Sequence, residues 1–129
     1  MGTPAAVMGD RINGTCTVHL VPGPAGAPTP APPLPFSSPL TVALATRTLI
    51  TGKPATMQGS SGFNAPPHVG LHPSDPFMLP ATQIGRVVKG STSVLIEGRP
   101  AAKTGSTCTI NAGAPGQLTG TATTVLIGG

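Results

Sequence analysis

The sequence lacks tryptophan and tyrosine altogether and contains only three phenylalanines in 129 residues. Aromatic side chains usually dominate protein cores and binding hot spots, so any core here must come from Val, Leu and Ile. At 12.7 kDa the chain fits a single domain, residues 1–129. A domain this small has little interior to bury, and we therefore expect a staple or a partner to help hold it together.

Acidic residues are also scarce: Asp10, Asp75 and Glu97 stand against seven Lys and Arg, which gives a net charge of +4. The basic residues are scattered from Arg11 to Lys103 without forming a cluster. Nucleic-acid-binding surfaces normally combine a basic face with stacking aromatics, so the sequence does not predict a nucleic-acid partner.

Targeting signals and long apolar runs are missing from the sequence as well. The first residues do not combine a basic segment with an apolar one, and no run approaches the roughly 18 apolar residues that span a membrane. We therefore expect synthesis in the cytoplasm. A reducing compartment disfavours a disulfide between Cys16 and Cys108, the two cysteines, and leaves both thiols free for a metal.

Glycine and proline, by contrast, are abundant, with 18 and 17 copies. Such a composition is also typical of disordered chains, but disorder usually pairs low hydrophobicity with high charge. Here charged residues make up 8% of the chain and the mean hydropathy is +0.21. The glycines also lack the three-residue period of collagen. We therefore expect a folded domain.

A repeat organises these residues. Residues 48–60 match residues 94–106 at an offset of 46 without a gap. A third copy is split between residues 125–129 and residues 4–10, so it is completed only if the two ends of the chain meet. The predicted units cover about 41–62, 90–108, and 120–129 joined to 1–10. The repeat motif comprises Pro4, Ala5, Ala6, Gly52, Pro54, Gly98, Pro100, Ala101, Ala102 and Gly129.

Each unit has the pattern of two short strands around a Gly-x-Pro corner. Glycine tolerates a positive φ, proline restricts φ to about −65°, and the flanking Val, Leu and Ile favour strands. A further glycine (Gly9, Gly59 or Gly105) marks the next bend. Because no stretch has a sustained helical period, we predict an all-β fold. Three units whose ends close on one another favour a compact pseudo-threefold body of short hairpins, without exposed sheet edges.

Three segments, residues 11–44, 61–88 and 107–122, separate the units. The first contains a proline-rich loop, residues 20–40, for which proline favours an extended backbone. Its sequence leaves open whether it is a solvated loop or an ordered layer on this body. We expect the long Pro/Gly-rich loops to converge at a metal-pinned apex.

The residues that suit a transition metal lie in all three inter-repeat segments: Cys16 and His19, His68 and His72, and Cys108. Cysteine and histidine are typical ligands of tetrahedral Zn²⁺, and a single ion shared by the three segments would staple the domain. The spacings by themselves are not those of a zinc finger. Exposed histidines and buried structural cysteines therefore remain the alternative.

The segments Gly98–Lys103 and Pro4–Asp10 resemble the PAAR-repeat family, which is named for its Pro-Ala-Ala-Arg motif. The resemblance covers nearly the whole chain. It departs from the family at Lys103, the fourth motif position, at Thr56, which interrupts the alanine pair, and at Ser60 and Ser106, where the family often has aspartate.

This resemblance implies a structural spike tip without enzymatic activity. One β-cone caps each trimeric β-helical spike in type VI secretion systems, extracellular contractile injection particles or contractile phage-like tails, and it aids puncture of the target membrane. The tip would start in the cytoplasm and leave it when the particle fires, with effector cargo as a further partner. In this family three His and one Cys hold a structural Zn²⁺ or Fe ion. The corresponding ligands in this sequence are His19, His68 and Cys108. His72 is the preferred fourth ligand, and Cys16 or water is the alternative.

Two other functions are compatible with the sequence: a metal-stabilised module that docks effectors, and a zinc hydrolase effector. A hydrolase needs an open metal position and a general base. Asp75 is the one plausible base because it lies close to His72 in sequence, and we expect it to be an exposed loop carboxylate.

Overall fold

The structure, a computed structural model, describes residues 2–111 and 113–129. Residues 1 and 112, which fall in the split repeat unit and in the third inter-repeat segment, lie outside the described residues. The fold is all-β, as predicted. Its strands are β1 (Thr3–Ala5), β2 (Arg11–Cys16), β3 (Leu20–Pro22), β4 (Pro28–Pro30), β5 (Leu34–Pro39), β6 (Leu49–Ile50), β7 (Lys53–Pro54), β8 (Ser61–Phe63), β9 (Ile84–Lys89), β10 (Leu95–Ile96), β11 (Arg99–Pro100), β12 (Thr107–Ile110), β13 (Ala114–Leu118) and β14 (Ala122–Ile127).

The helical elements of the described chain are two short 3₁₀ turns, Pro24–Gly26 and Pro80–Thr82. Each begins with a proline, whose restricted φ suits the first helical position. Within the described ranges, no helix has the length and apolar character needed to cross a lipid bilayer.

Six strands form one antiparallel sheet in the order β5-β2-β13-β12-β9-β8. The sheet is barrel-like and nearly closed, because its two edge strands approach each other. Ser37 on β5 donates its backbone N–H to the Asn64 side chain across 3.0 Å and accepts the Ala65 N–H at 2.8 Å. These bonds occupy edge groups that would otherwise be open to pairing with another chain.

The interior of this sheet follows the two-residue period of a strand. Ile12 and Cys16 on β2, Phe36 on β5, and Cys108 and Ile110 on β12 are at most 2% exposed. Small residues make room for them: a Cβ on Gly116 would lie 2.6 Å from the Ile12 side chain. The interior therefore depends on aliphatic side chains and glycines, with a single buried Phe among its larger members.

Three further two-stranded pairs come from the repeat units: the hairpins β6–β7 and β10–β11, and the pair β1–β14, whose strands lie at opposite ends of the chain and are not joined by a turn. They share one register. Leu49 pairs with Pro54, Leu95 with Pro100, and Leu126 with Pro4. The first and last strands of the chain, β1 and β14, thus pair with each other, as the split repeat requires.

The hairpin turns have the geometry that the Gly-x-Pro pattern predicts. Gly52 and Gly98 have φ values of 82° and 85°, and the residues before them, Thr51 and Glu97, are also left-handed at 52° and 50°. Two successive positive φ values are typical of the two-residue turn that matches the twist of a hairpin. Gly9, Gly59 and Gly105 also have positive φ at the following bends.

The second alanine position of the motif joins the three units through a ring of backbone hydrogen bonds. Ala6 donates to the Ala102 carbonyl, Ala102 donates to that of Thr56, and Thr56 donates to that of Ala6, each across 3.1 Å. All three residues are 0% exposed. The motif needs small side chains because three backbones meet here. Thr56 is accommodated because its hydroxyl donates to the Ala6 carbonyl at 2.8 Å.

The proline-rich segment is an ordered part of the fold. β3 and β4 form a hairpin closed by the first 3₁₀ turn, and β5 is an edge strand of the main sheet. Proline is tolerated at such positions because an edge strand does not need every N–H for the ladder. Only the last part of the segment packs into the interior, at Phe36 and Ser38, whereas most of residues 22–33 is exposed.

Candidate metal centre

Three potential metal ligands converge beyond the end of β2. One donor atom from each of Cys16, His19 and His68 lies within 4.8 Å of the others. Cys16 ends β2, and His19 follows three residues later, just before β3. His68 comes from the second inter-repeat segment. Cys16 and His19 are 2% and 1% exposed, while His68 is partly buried.

Backbone and side-chain hydrogen bonds hold the two histidine-bearing segments in place. The Leu20 carbonyl accepts the N–H of His72 at 2.8 Å, which ties the start of β3 to the second segment. The buried Gln83 side chain accepts the His68 N–H at 2.7 Å and donates to the His68 carbonyl at 2.9 Å. Sequence reasoning missed Gln83, because a lone glutamine carries no recognisable motif.

The outer nitrogen of each imidazole has an acceptor. Nδ1 of His19 lies 3.1 Å from the Asp75 carboxylate, and Nε2 of His68 lies 2.6 Å from the Pro35 carbonyl. Neither oxygen has a proton to donate, so each of these ring nitrogens carries the proton. In a neutral imidazole the other nitrogen then presents a lone pair.

When both rings are neutral, these two lone pairs face each other. Nε2 of His19 and Nδ1 of His68 are 2.9 Å apart, and the ring centroids are separated by 4.8 Å in an edge-on arrangement. Two acceptors at this distance repel each other unless a cation or a proton lies between them. Either a shared proton, as in an N–H···N hydrogen bond, or a metal ion between the rings relieves this repulsion.

The donor set also fits a metal ion in kind and in size. Zn–N bonds of about 2.0 Å and a Zn–S bond of about 2.3 Å place tetrahedral ligand atoms roughly 3.3–3.5 Å apart. The His19–His68 separation of 2.9 Å and the overall spread of 4.8 Å bracket this value. Cys16, His19 and His68 can hold a metal ion with small adjustments of their side chains.

Cys16 has a polar neighbour that the sequence did not indicate. The Asn111 side-chain amide donates to Sγ of Cys16 at 3.0 Å. Burial raises the pKa of the Cys16 thiol to about 11, and this hydrogen bond opposes the shift. A cation at the site would supply the charge that a buried thiolate requires.

Asp75 is a buried component of this site, so the expectation of an exposed loop carboxylate was wrong. The residue is 5% exposed and also accepts the N–H groups of Leu20 and Phe77, both at 2.6 Å. Burial raises its carboxyl pKa, but the hydrogen bonds from Leu20, Phe77 and His19, together with the charge of His19, bring that pKa below its ordinary value. Within the described ranges, His19–Asp75 is the one pair with ion-pair geometry.

Of the predicted ligand set, the structure brings together His19 and His68, with Cys16 as the third member. His72 lies outside this group: its ring contacts the Ser74 hydroxyl at 2.7 Å and the Gly26 carbonyl at 2.9 Å. Cys108 also lies outside it, packed in the sheet interior with Sγ 3.4 Å from the Ser106 carbonyl. Burial raises the pKa of the Cys108 thiol to about 11.

Comparison with known proteins found no matching family model, no similar curated protein and no similar solved structure.

Proposed function

We propose that the chain is the structural tip of a contractile injection spike: a pseudo-threefold β-cone that caps a trimeric β-helical spike, one tip per trimer. Its base is formed by the β6–β7 and β10–β11 hairpins and the β1–β14 strand pair. Its apex contains the Cys16, His19 and His68 centre. The shared register of the strand pairs and the ring of three 3.1 Å hydrogen bonds support this symmetry.

The observation that carries the proposal is a set of three exposed leucines. Leu49, Leu95 and Leu126 occupy the same register position in their strand pairs and are 63%, 64% and 60% exposed. A threefold partner presents three equivalent surfaces, so three equivalent apolar patches on one chain match it. A base of this kind explains why large apolar side chains are left in solvent.

The metal centre lies away from these strand pairs. β2 begins at Arg11, directly after the repeat unit that ends at residue 10, and ends at Cys16. The strand from Arg11 to Cys16 corresponds to about 17 Å of extended chain. We propose Zn²⁺ as the ion, with Fe as the alternative, because the donors are two imidazoles and one thiol. Water completes the shell. The ion joins the first and second inter-repeat segments and stiffens the apex for puncture of the target membrane.

Three protein ligands and a water also occur in hydrolytic zinc centres, which need a nearby general base. The Asp75 carboxylate already accepts three hydrogen bonds, from Leu20, Phe77 and His19. We therefore propose a structural rather than a catalytic role for the ion.

The leucine set can be tested with a trimeric β-helical spike protein from the same source as this chain. Wild-type chain should form a complex with one copy per trimer. Burying a leucine contributes about 1.5–3 kcal/mol, so Leu126→Ser should weaken binding roughly tenfold. Replacing Leu49, Leu95 and Leu126 together by serine should weaken spike binding more than about 100-fold. Calorimetry provides the stoichiometry and the affinity.

The matched control is Leu79, which is 59% exposed but lies beside the second 3₁₀ turn, outside the three strand pairs. Leu79→Ser should leave spike binding unchanged. Equal weakening by Leu79→Ser, or full binding by the triple variant, would contradict the proposed base.

A further inference from the structure

Asp75 accepts hydrogen bonds from two parts of the chain at once. Its Oδ2 atom takes the Leu20 N–H at 2.6 Å and lies 3.1 Å from Nδ1 of His19, and its Oδ1 atom takes the Phe77 N–H at 2.6 Å. The side chain itself is 0% exposed. Both oxygens are therefore committed to fixed donors in a water-poor environment.

This arrangement determines which nitrogen of His19 points at the other ligands. Because the carboxylate accepts the Nδ1 proton, Nε2 carries the lone pair in the neutral ring, and Nε2 is the atom 2.9 Å from Nδ1 of His68. The Leu20 contact anchors the carboxylate to the residue next to His19, so that ring and carboxylate are positioned together.

We infer that Asp75 is the positioning residue of the metal centre: its carboxylate orients His19 and selects the tautomer that binds the ion through Nε2. The inference rests on the metal centre of the proposed function. A carboxylate behind a ligating histidine raises the basicity of the ligand and restricts its ring, and losing such a partner typically lowers metal affinity 10- to 100-fold.

Asp10 is a matched control within the same chain. It is also 5% exposed, and its carboxylate accepts three hydrogen bonds: from the Val7 N–H at 2.8 Å, the Thr121 N–H at 3.0 Å and the Thr121 hydroxyl at 2.6 Å. None of these donors belongs to the metal centre. Asp10 variants therefore measure the loss of an equally bonded buried carboxylate without a change at His19.

The experiment measures Co²⁺ affinity by competition with a chelator for the full chain and for D75N, D75A and D10N. Co²⁺ is used because its visible absorption reports ligand geometry. The D75N side chain still offers one oxygen to His19, so we expect about a 10-fold loss for D75N and about a 100-fold loss for D75A. D10N should stay within about twofold of wild type. Ring ¹⁵N shifts of the Zn²⁺-loaded protein should show His19 protonated at Nδ1 in wild type and a mixture of tautomers in D75A.

Two outcomes would overturn the inference while leaving the metal centre intact: wild-type affinity in both Asp75 variants, or an equal loss in D10N. A wild-type chain that binds no Co²⁺ would instead remove the metal centre, and the positioning role with it. If D75A fails to fold, D75N and D10N still decide the question, because each keeps the size of the side chain it replaces.

Discussion

At the scale of single residues, the two cysteines differ through their neighbours. Both are 2% exposed, and burial raises both thiol pKa values to about 11. Cys16 lies beside two imidazoles and the Asn111 amide, whereas the Sγ atom of Cys108 lies near the Ser106 carbonyl inside the sheet. A metal can compensate a thiolate at the first position, while the second is a small apolar core residue.

This difference predicts opposite behaviour for the two alanine variants. Cys16→Ala should abolish measurable Zn²⁺ binding at micromolar protein, because the soft ligand is lost. Cys108→Ala should keep about one Zn²⁺ per chain and instead lower the unfolding free energy by roughly 1 kcal/mol through the small cavity it leaves. Elemental analysis and thermal melts measure the two effects. Metal loss in Cys108→Ala with retention in Cys16→Ala would reverse the assignment.

At the scale of elements, the hairpin turns depend on glycine at left-handed positions. Gly98 has a φ of 85°, and a Cβ added there would meet open space. A side chain at this position therefore costs backbone strain rather than a steric clash. The β10–β11 hairpin contains only two residues on each side of the turn, so it has few other interactions that stabilise it.

Gly98→Ala should accordingly lower the unfolding free energy by about 1–2 kcal/mol. The control is Gly128→Ala, where an added Cβ also meets open space but φ does not lie in the left-handed region. This control should be neutral within about 0.5 kcal/mol. Denaturant unfolding of the two variants compares them directly, and equal stabilities would contradict the strain explanation.

At the scale of the whole molecule, two systems of contacts hold the chain together. The hydrogen-bonded ring of Ala6, Thr56 and Ala102 joins the repeat units, and the proposed ion joins the first and second inter-repeat segments. The ring uses backbone groups and needs no cofactor. The histidine-bearing segments lie outside the six-stranded sheet, so the ion should stabilise them most.

Metal removal should therefore lower the local stability of the histidine-bearing segments more than that of the ring. With free Zn²⁺ at 100 times its Kd, the ion stabilises the fold by about 2.7 kcal/mol, and a chelator should remove that contribution. Hydrogen exchange should speed up around residues 17–20 and 64–77 and stay slow in the ring. A Cys16→Ala chain should not respond to the chelator. Uniform loss of protection would mean that the ion supports the global fold instead.

Much of the architecture follows from local chemistry. The Gly-x-Pro corners, the strand-forming Val-Leu-Ile stretches and the split third repeat predicted short hairpins and the pairing of Thr3–Ala5 with Ala122–Ile127. These features are readable because positive φ, restricted proline and β-branched side chains act within a few residues. Residue type placed His19 and His68 among five candidate ligands, and the family resemblance assigned them to the predicted site.

The tertiary structure decided which candidates meet. His72 and Cys108 were the predicted ligands and Cys16 the alternative, but the fold brings Cys16, at the end of β2, beside His19 and His68. Cys108 lies on β12 with its Sγ near the Ser106 carbonyl. Asp75, Gln83 and Asn111 come from distant positions to support the ligands. Such pairings depend on where separate strands end in space. Composition and repeat pattern do not encode that information, because these supporting side chains lie 15 to 95 residues from the ligands they contact.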